Sequence, residues 1–283
     1  MKRIASLLLA LVLSLGSVFA LASCGGLDAT EDLARIKEAG KIVVGMEVAY
    51  APYNWAEASA NDFTARVSNG TYADGYDVQI AKKIADGLGV TLEIKAIEWD
   101  GLLPALESGD IDMIVAGMSP TEDRKLSIDF SDTYFDSNLV MVVKKDGAYA
   151  AATGIQDFAN AKITAQLNTF HYAVIDQINN VQKQTALQDF AALIQSLSSG
   201  AIDGYVCEKP GAESAVTANP DFTYIEFAAG SGFVCDPAES SISVGIRKSS
   251  SLTAEINRIL AGISQADREA MMDAAIARQP AEE

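Results

Sequence analysis

The sequence of 283 residues predicts an α/β fold built in two lobes. In the first half, patterns typical of strands and helices alternate along the chain, which favours a largely parallel sheet with helices on both faces. A second set of alternating strands and helices begins near residue 162. A chain of this length is long for one hydrophobic core and natural for two.

Each predicted element has a local signal. Short apolar runs predict strands at 41–46, 91–97, 111–115, 139–143, 162–165, 201–207 and 242–246. Apolar residues at helical spacing predict helices at 31–39, 77–88, 170–177, 190–198, 252–263 and 265–278, with a further helix beginning at Trp99. The segment 47–74 contains Pro52, an Asn-Asp pair and an Asn-Gly pair, which are turn formers, so we expect an irregular loop there.

The segment 99–124 contains the most informative pattern. It consists of a helix, a Gly-Asp turn, a buried strand and a loop of small residues, and it ends on Arg124. Small side chains around Gly117 and Ser119 leave backbone amides uncovered. A guanidinium beside a hydroxyl and free amides suits the capture of one carboxylate. The alternative is an exposed arginine after a βα turn, and spacing alone does not decide between the two.

The motifs around this segment resemble those of the family 3 extracellular solute-binding proteins, the amino-acid receptors of ABC importers. The matching residues keep the family's order and spacing, and they are Gly75-Tyr76-Asp77, Ile80-Ala81, Ile84, Leu88-Gly89, Trp99, Leu103-Pro104, Leu106, Gly109, Asp112, Thr121, Arg124, Phe130-Ser131, Tyr134 and Gly200-Ala201-Ile202-Asp203. The resemblance covers nearly all of the chain after residue 40. Gln79 departs from it, because the family usually has an acid at that position.

The resemblance implies a type II periplasmic-binding-protein fold, with two mostly parallel sheets joined by two hinge crossovers and the ligand in the cleft between them. It places the crossovers near 134–137 and 239–242. The first lobe would then comprise 31–135 and 242–283, and the second lobe 136–241. The C-terminal helices would return to the first lobe.

The resemblance also assigns residues to the backbone of an amino-acid ligand. Gly117, Ser119 and Arg124 match the first-lobe clamp on the α-carboxylate. Asn168, Thr169 and Phe170 match the second-lobe loop that completes this clamp with amides at a helix start. Glu208 matches the acid that receives the α-ammonium, a position where Asp is common. From the residues alone, a loop-end carboxylate near Lys209 is the alternative.

Side-chain selectivity is expected from five residues, which are Glu47, Tyr50, Trp99, Gln166 and Phe170. Tyr50 and Trp99 match positions that sandwich the ligand side chain, and two aromatic faces near an acid favour a cation. Family members with an acid at the position of Glu47 bind either basic amino acids or glutamine. We therefore expect a polar or basic L-amino acid, with glutamine or another neutral polar amino acid as the alternative.

The N-terminus predicts export. A basic start, an apolar run over 4–19 and small residues before Cys24 are typical of a lipoprotein signal peptide over 1–23. Lipid on Cys24, followed by a tether over 24–30, would anchor the protein to the outer face of the cell membrane or in the periplasm. An ordinary signal peptide with an incidental cysteine is the alternative.

Composition argues against several other classes of function. The formal net charge of −17 repels phosphate backbones, so we expect no nucleic-acid partner. His171 is the single histidine, which excludes a multi-histidine metal site, and no cofactor or metal is expected. Beside Phe170, it is expected to line the cleft or pack at its rim. We expect a monomer whose partners are a free L-amino acid and an ABC permease. The alternatives are a sensor without a permease and an enzyme resembling the cyclic amino-acid dehydratases of this fold, with Glu47 and Glu208 as acid and base.

Two further cysteines, Cys207 and Cys235, fall in the predicted second lobe. In an exported protein oxidation is the default, so a disulfide between them is one expectation. Two separately buried thiols are the other.

Overall fold

The computed structural model describes residues 28–237 and 239–280. The predicted signal peptide and Cys24 lie outside the described residues. Within the described part of the chain, no helix combines the length and apolarity needed to cross a bilayer.

The described strands and helices follow the predicted alternation in most places. The strands are β1 (Lys41–Met46), β2 (Ala49–Tyr50), β3 (Asn54–Glu57), β4 (Ala65–Arg66), β5 (Tyr72–Asp74), β6 (Thr91–Ala96), β7 (Met113–Ile114), β8 (Ile128–Asp136), β9 (Leu139–Lys144), β10 (Lys162–Thr164), β11 (Gln182–Lys183), β12 (Gly204–Glu208), β13 (Phe222–Ile225) and β14 (Ser241–Arg247). The α-helices are α1 (Asp32–Ala39), α2 (Tyr76–Leu88), α3 (Trp99–Ser108), α4 (Glu122–Ser127), α5 (Phe170–Val174), α6 (Phe190–Ser199), α7 (Lys209–Ala218), α8 (Leu252–Ala261) and α9 (Gln265–Arg278).

Two five-stranded sheets form the centres of two lobes. The first sheet has the strand order β6-β1-β7-β14-β8, and the second has the order β11-β10-β12-β9-β13. The expectation that both are mostly parallel is wrong in detail. In each sheet, two neighbouring pairs are parallel and two are antiparallel. The parallel pairs lie among the strands of the βα units, whereas β8, β9 and β14, which lie next to the connections between the sheets, add the antiparallel pairs.

Two extended connections run side by side between the sheets. On the outward path, β8 ends at Asp136 and β9 begins at Leu139. On the return path, β14 begins at Ser241 and pairs with Asp136. The N–H of Ser137 donates to the carbonyl of Ser240 at 3.2 Å, which ties the two paths together. After β14, helices α8 and α9 pack against α2, beside the first sheet.

The predicted irregular loop at 47–74 instead contains a small antiparallel sheet with the order β2-β3-β5-β4. Its strands are two to four residues long. Strands this short show no readable alternation, so the turn formers were the visible signal and the pairing was not. Tyr50 of this small sheet and Glu47, which lies between β1 and β2, both form hydrogen bonds to residues of the second lobe.

The expected disulfide between Cys207 and Cys235 is not formed, and both thiols are free. Side chains alternate across a strand, so Tyr205 and Cys207 lie on one face of β12 and Val206 lies on the other. Cys207 belongs to the core that extends from the first lobe. Cys235 packs with Val206 against the separate core on the opposite face of the second sheet.

Candidate functional site

The structure brings most of the predicted binding residues around one small cavity between the lobes. Its lining comprises Trp99, Gly117, Ser119, Arg124, Gln166, Thr169, Phe170, His171 and Glu208. The cavity volume is about 10 Å³, which is the space of a single water molecule. Glu47 and Tyr50 do not line it, but each forms a hydrogen bond to a residue that does.

Arg124 connects the two walls of the cavity. It lies on α4, where the Thr121 hydroxyl accepts from its backbone N–H and caps the helix. Its Nη1 donates to the carbonyl of Ser119 at 2.8 Å, and its Nη2 donates to the carbonyl of Asn168 in the second lobe at 3.2 Å. Its guanidinium carbon lies 4.9 Å from the ring centroid of Trp99. Burial lowers the pKa of Arg124 to about 10, so the group remains cationic at neutral pH.

The small-residue loop before Arg124 requires glycine at position 117. Gly117 has φ +60°, a backbone conformation that glycine adopts without a steric penalty. A Cβ at this position would also lie 3.1 Å from Cε1 of Tyr50. The N–H of Gly117 points into the protein, where it donates to Oη of Tyr134 at 3.3 Å.

Glu208 is the buried anion of the site, with 2% of its surface exposed. Oη of Tyr50 donates to its Oε2 at 2.5 Å, and Nε2 of His171 lies 2.8 Å from its Oε1. Burial alone would raise the pKa of Glu208, but the charge of His171 and the hydrogen bonds from His171 and Tyr50 outweigh it and lower the pKa. Glu208 is therefore a carboxylate at neutral pH.

Glu47 is the second acid at the interface between the lobes. Its Oε1 accepts from Nε2 of Gln166 at 3.0 Å, so this pair also crosses between the lobes. Burial raises the pKa of Glu47 to about 7. The hydrogen bond from Gln166 opposes that shift, whereas the negative charges of Asp189, Glu98 and Asp100 add to it. This carboxyl group changes its charge near neutral pH.

The two rings predicted to enclose a ligand side chain, Tyr50 and Trp99, each contact a protein group in this structure. Tyr50 stacks on Phe190 of the second lobe, with ring centroids 4.1 Å apart and an interplanar angle of 16°. Trp99 faces the guanidinium of Arg124. The sandwich itself stays a prediction.

Asn168 belongs to the predicted second-lobe loop of the clamp, whereas His171 and Phe190 were not among the predicted binding residues. Their contacts to Arg124, Glu208 and Tyr50 join segments far apart in the sequence. His171 was expected only to line the cleft or pack at its rim. Its place directly after Phe170, at the start of α5, was the one available signal for a closer role.

A larger cavity of about 540 Å³ adjoins the small one and opens to solvent. Trp99, Arg124, Thr169 and Phe170 line both cavities. The outer cavity also has acidic side chains, from Asp100, Asp123 and Glu239. Across 28–237 and 239–280, no group of three or more His, Cys, Asp or Glu residues is placed to hold a metal ion.

The fold and the cleft define a two-lobed solute-binding protein, and sequence comparison agrees. The sequence model of the bacterial extracellular solute-binding proteins, family 3, matches residues 42–273. The chain belongs to this family.

Individual relatives show the range of ligands associated with similar chains. The arginine-binding extracellular protein ArtP of Bacillus subtilis is 26% identical over 250 residues, which span 86% of each chain. The ABC transporter glutamine-binding protein GlnH of the same organism is 36% identical over 157 residues, 51% of this chain and 53% of that one. An amino acid ABC transporter substrate-binding protein of Streptococcus pneumoniae, solved bound to L-arginine, superimposes with a TM-score of 0.76 at 25% identity, over 87% of this chain and 98% of that one.

Proposed function

We propose that this protein is the receptor of an ABC importer for a polar or basic L-amino acid, which binds in the cleft between the lobes. One observation carries the proposal. A half-buried cation, Arg124, and a buried anion, Glu208, line the same small cavity. Their charges are opposite to those of an α-carboxylate and an α-ammonium group.

The charged ends of an amino acid would replace contacts that the protein makes with itself. A ligand carboxylate would take the place of the Ser119 and Asn168 carbonyls at Arg124, and a planar guanidinium holds a carboxylate through two parallel hydrogen bonds. A ligand ammonium would compete with Tyr50 and His171 for Glu208. Buried charges of this kind are stable only when they are paired.

Glu47, the second acid at the interface between the lobes, favours a ligand with a cationic side chain. Glu47 lies among three further acidic groups, and when it is ionised it attracts a guanidinium or ammonium group. The arginine-binding relatives agree with this choice. Glutamine is the second candidate because Glu47 has a pKa of about 7, so its neutral form and the amide of Gln166 suit an uncharged polar side chain.

Binding would require the lobes to separate and close again. The cavity of about 10 Å³ cannot admit an amino acid without movement. We place the hinge at the paired connections around Asp136 and Ser241, which divides the chain into 31–135 with 242–283 and 136–241. Ligand that contacts both lobes would shift the population toward the closed state.

The electrostatics of the two acids suit the alternative of a dehydratase as well as a receptor. A general acid must hold a proton near the operating pH, and Glu47 has a pKa of about 7. The pKa of Glu208 is lowered, so this side chain is the base of such a pair, and a binding role needs the same carboxylate in its ionised form. Turnover of the bound ligand is therefore the measurement that separates the two functions.

The direct test is a thermal-shift screen of the mature protein with the common L-amino acids, followed by calorimetry. A ligand present at about 100 times its Kd should add about 2.7 kcal/mol of stability. We expect arginine, lysine or glutamine to give the largest shift. The absence of a shift with every amino acid, or turnover of the bound ligand seen by mass spectrometry, would contradict the proposal.

Anchoring is the part of the proposal that rests on the sequence before residue 28. Cleavage before Cys24 and lipid on its thiol would hold the receptor near its permease, as a monomer on a short tether. Cys24→Ser should move the protein from the membrane fraction to the soluble fraction, with Cys235→Ser as the matched control. An unchanged membrane fraction in Cys24→Ser would remove the anchor from the proposal.

A further inference from the structure

One buried carboxylate, Asp77, lies behind the cleft and is not used in the proposed binding mechanism. It is the second residue of α2 and has 0% exposure. Its Oδ2 accepts from Nδ2 of Asn54 at 2.9 Å, and its Oδ1 accepts from Oη of Tyr134 at 2.7 Å. Each partner makes a second hydrogen bond to the backbone of a loop that borders the cleft.

The Asn54 branch leads to the loop of Glu47. Oδ1 of Asn54 accepts from the N–H of Val48 at 2.7 Å. Val48 has φ +60°, which is an outlier for a β-branched residue. Such a conformation persists only where surrounding contacts enforce it. Asn54, fixed by Asp77, supplies that contact one residue after Glu47.

The Tyr134 branch leads to the loop of Gly117. Oη of Tyr134 donates to Asp77 and accepts from the N–H of Gly117 at 3.3 Å. Gly117 also has a left-handed backbone, with φ +60°. Two residues later, the carbonyl of Ser119 accepts from Arg124. The same carboxylate is thus linked both to the loop of Gly117, which lines the cavity, and to the loop of Glu47, which lies next to it.

Burying the carboxyl group of Asp77 lowers the stability of the fold compared with a well-packed apolar residue at the same position. Both side-chain partners are neutral, and burial raises the pKa of Asp77 to about 7. A buried acid without a cation is less stabilising than a well-packed apolar residue of similar volume. Its cost is consistent with a role in fixing the geometry of the loops.

We propose that Asp77 is a positioning residue, which acts through Asn54 and Tyr134 to hold the Glu47 loop and the Gly117 loop in one fixed arrangement. The expected effect of Asp77 on ligand affinity rests on the proposed function, in which the two loops face opposite ends of the ligand. The arrangement of the loops themselves is testable without any ligand.

The first test is amide hydrogen exchange by NMR on the ligand-free protein. In Asp77→Ala, the amides of Val48 and Gly117 should both exchange about tenfold faster or more, while the amides of β1 stay within about twofold of wild type. Tyr134→Phe should spare Val48 and accelerate Gly117 by less than Asp77→Ala does, because the N–H of Gly117 also hydrogen-bonds Asp77 directly. Asn54→Ala should accelerate Val48 and spare Gly117. Asp77→Asn keeps one acceptor oxygen, so it should rescue one of the two amides.

The second test is calorimetry with whichever L-amino acid the wild-type protein binds most tightly. Asp77→Ala should lower its affinity about tenfold or more. The matched control is Asp32→Asn, which alters another fully buried acid of the first lobe, one that pairs with Arg247 away from the cleft. At a comparable loss of thermal stability, this control should keep its affinity within about twofold.

The outcomes separate this inference from the proposed function. Equal acceleration at Val48, Gly117 and β1 would show a general structural role and overturn the inference, as would wild-type exchange at both loop amides. Wild-type affinity in Asp77→Ala would also overturn it. A wild-type protein that binds no amino acid would instead end the proposed function, and the exchange results would still decide whether Asp77 holds the loops.

Discussion

At the scale of single residues, the acids of the cleft differ in charge because their partners differ. Glu208 has His171 and the hydroxyl of Tyr50 beside it, and these partners lower its pKa despite its burial. Burial and, to a lesser extent, nearby acids raise the pKa of Glu47, and the hydrogen bond from the amide of Gln166 does not offset them. The same residue type therefore provides a permanent anion on one wall and a titrating group on the other.

Arg124→Ala should weaken amino-acid binding by about 2–5 kcal/mol, because it leaves a buried ligand carboxylate without a charged partner. The helix that carries Arg124 should survive, since its cap at Thr121 is unaffected. Calorimetry measures the affinity, and circular dichroism checks the fold. Wild-type affinity in a folded variant would place the carboxylate elsewhere.

The charge of Glu47 should make stability depend on pH. Its pKa is raised from 4.5 to about 7, so the folded protein binds more protons than the unfolded chain between these values. This contribution to stability is full below the unfolded pKa and is lost as the pH rises through about 7. Glu47→Gln should therefore stabilise the ligand-free protein by about 1–3 kcal/mol near pH 8 and change little near pH 4.

Denaturant titrations at the two pH values test this prediction. The matched control is Glu57→Gln, an acid of the same small sheet whose Oε1 accepts from Nε1 of Trp55. Equal effects of Glu47→Gln at both pH values would contradict the raised pKa. In the same variant, arginine or lysine should lose more affinity than glutamine.

At the scale of elements, a buried ion pair joins α1 to β14 across most of the chain. Nη2 of Arg247 lies 2.6 Å from Oδ1 of Asp32, and both side chains are buried. Arg247 also donates to the carbonyls of Leu106 and Ile111, which connects the end of α3 and the turn before β7. These bonds fix the C-terminal strand in the first sheet after the chain has returned from the second.

Arg247→Ala should destabilise the protein by about 3–5 kcal/mol, because it leaves Asp32 buried without its main cation. Ligand affinity under native conditions should change little, since the pair lies away from the cleft. Denaturant unfolding measures the first effect and calorimetry the second. A loss of stability below about 1 kcal/mol would mean that Arg35 alone can neutralise Asp32.

At the scale of the whole molecule, the proposed closure would depend on contacts that join the lobes outside the proposed ligand site. The end of α9 lies beside the first sheet, yet Gln279 exchanges two hydrogen bonds with Ser214 of α7 in the second lobe. Tyr50 of the first lobe also stacks on Phe190 of the second lobe. Such contacts stabilise the closed arrangement relative to an open one, whatever the ligand is.

Gln279→Ala should shift the population toward the open state, because it removes bonds between α9 and α7 that we expect in the closed form alone. The affinity for every ligand should fall by the same factor, about two- to tenfold, with the order of preference unchanged. Calorimetry with two amino acids measures this factor, and small-angle scattering reports the opening. A change in preference would show that Gln279 acts on the ligand site itself.

The sequence alone determined the fold class and much of the cleft wall. Long periodic segments such as α2 and β1 were predicted within a residue or two, because helix and strand spacing is a local property. Family motifs also placed Gly117, Arg124 and Glu208 in one site, and the structure brings all three to a single cavity.

Only the tertiary structure decided how these groups are paired. The hydrogen bond between Tyr50 and Glu208 spans 158 residues, and no local pattern specifies such a contact. Cys207 and Cys235 lie on opposite faces of the second sheet. The strands β8 and β14 pair antiparallel in the first sheet. Both features depend on which strands become neighbours, and no local pattern specifies that. The periodicity of a strand predicts that successive side chains point to opposite faces of the sheet. The packing of the whole chain determines which of the two faces is buried and which residues cover it.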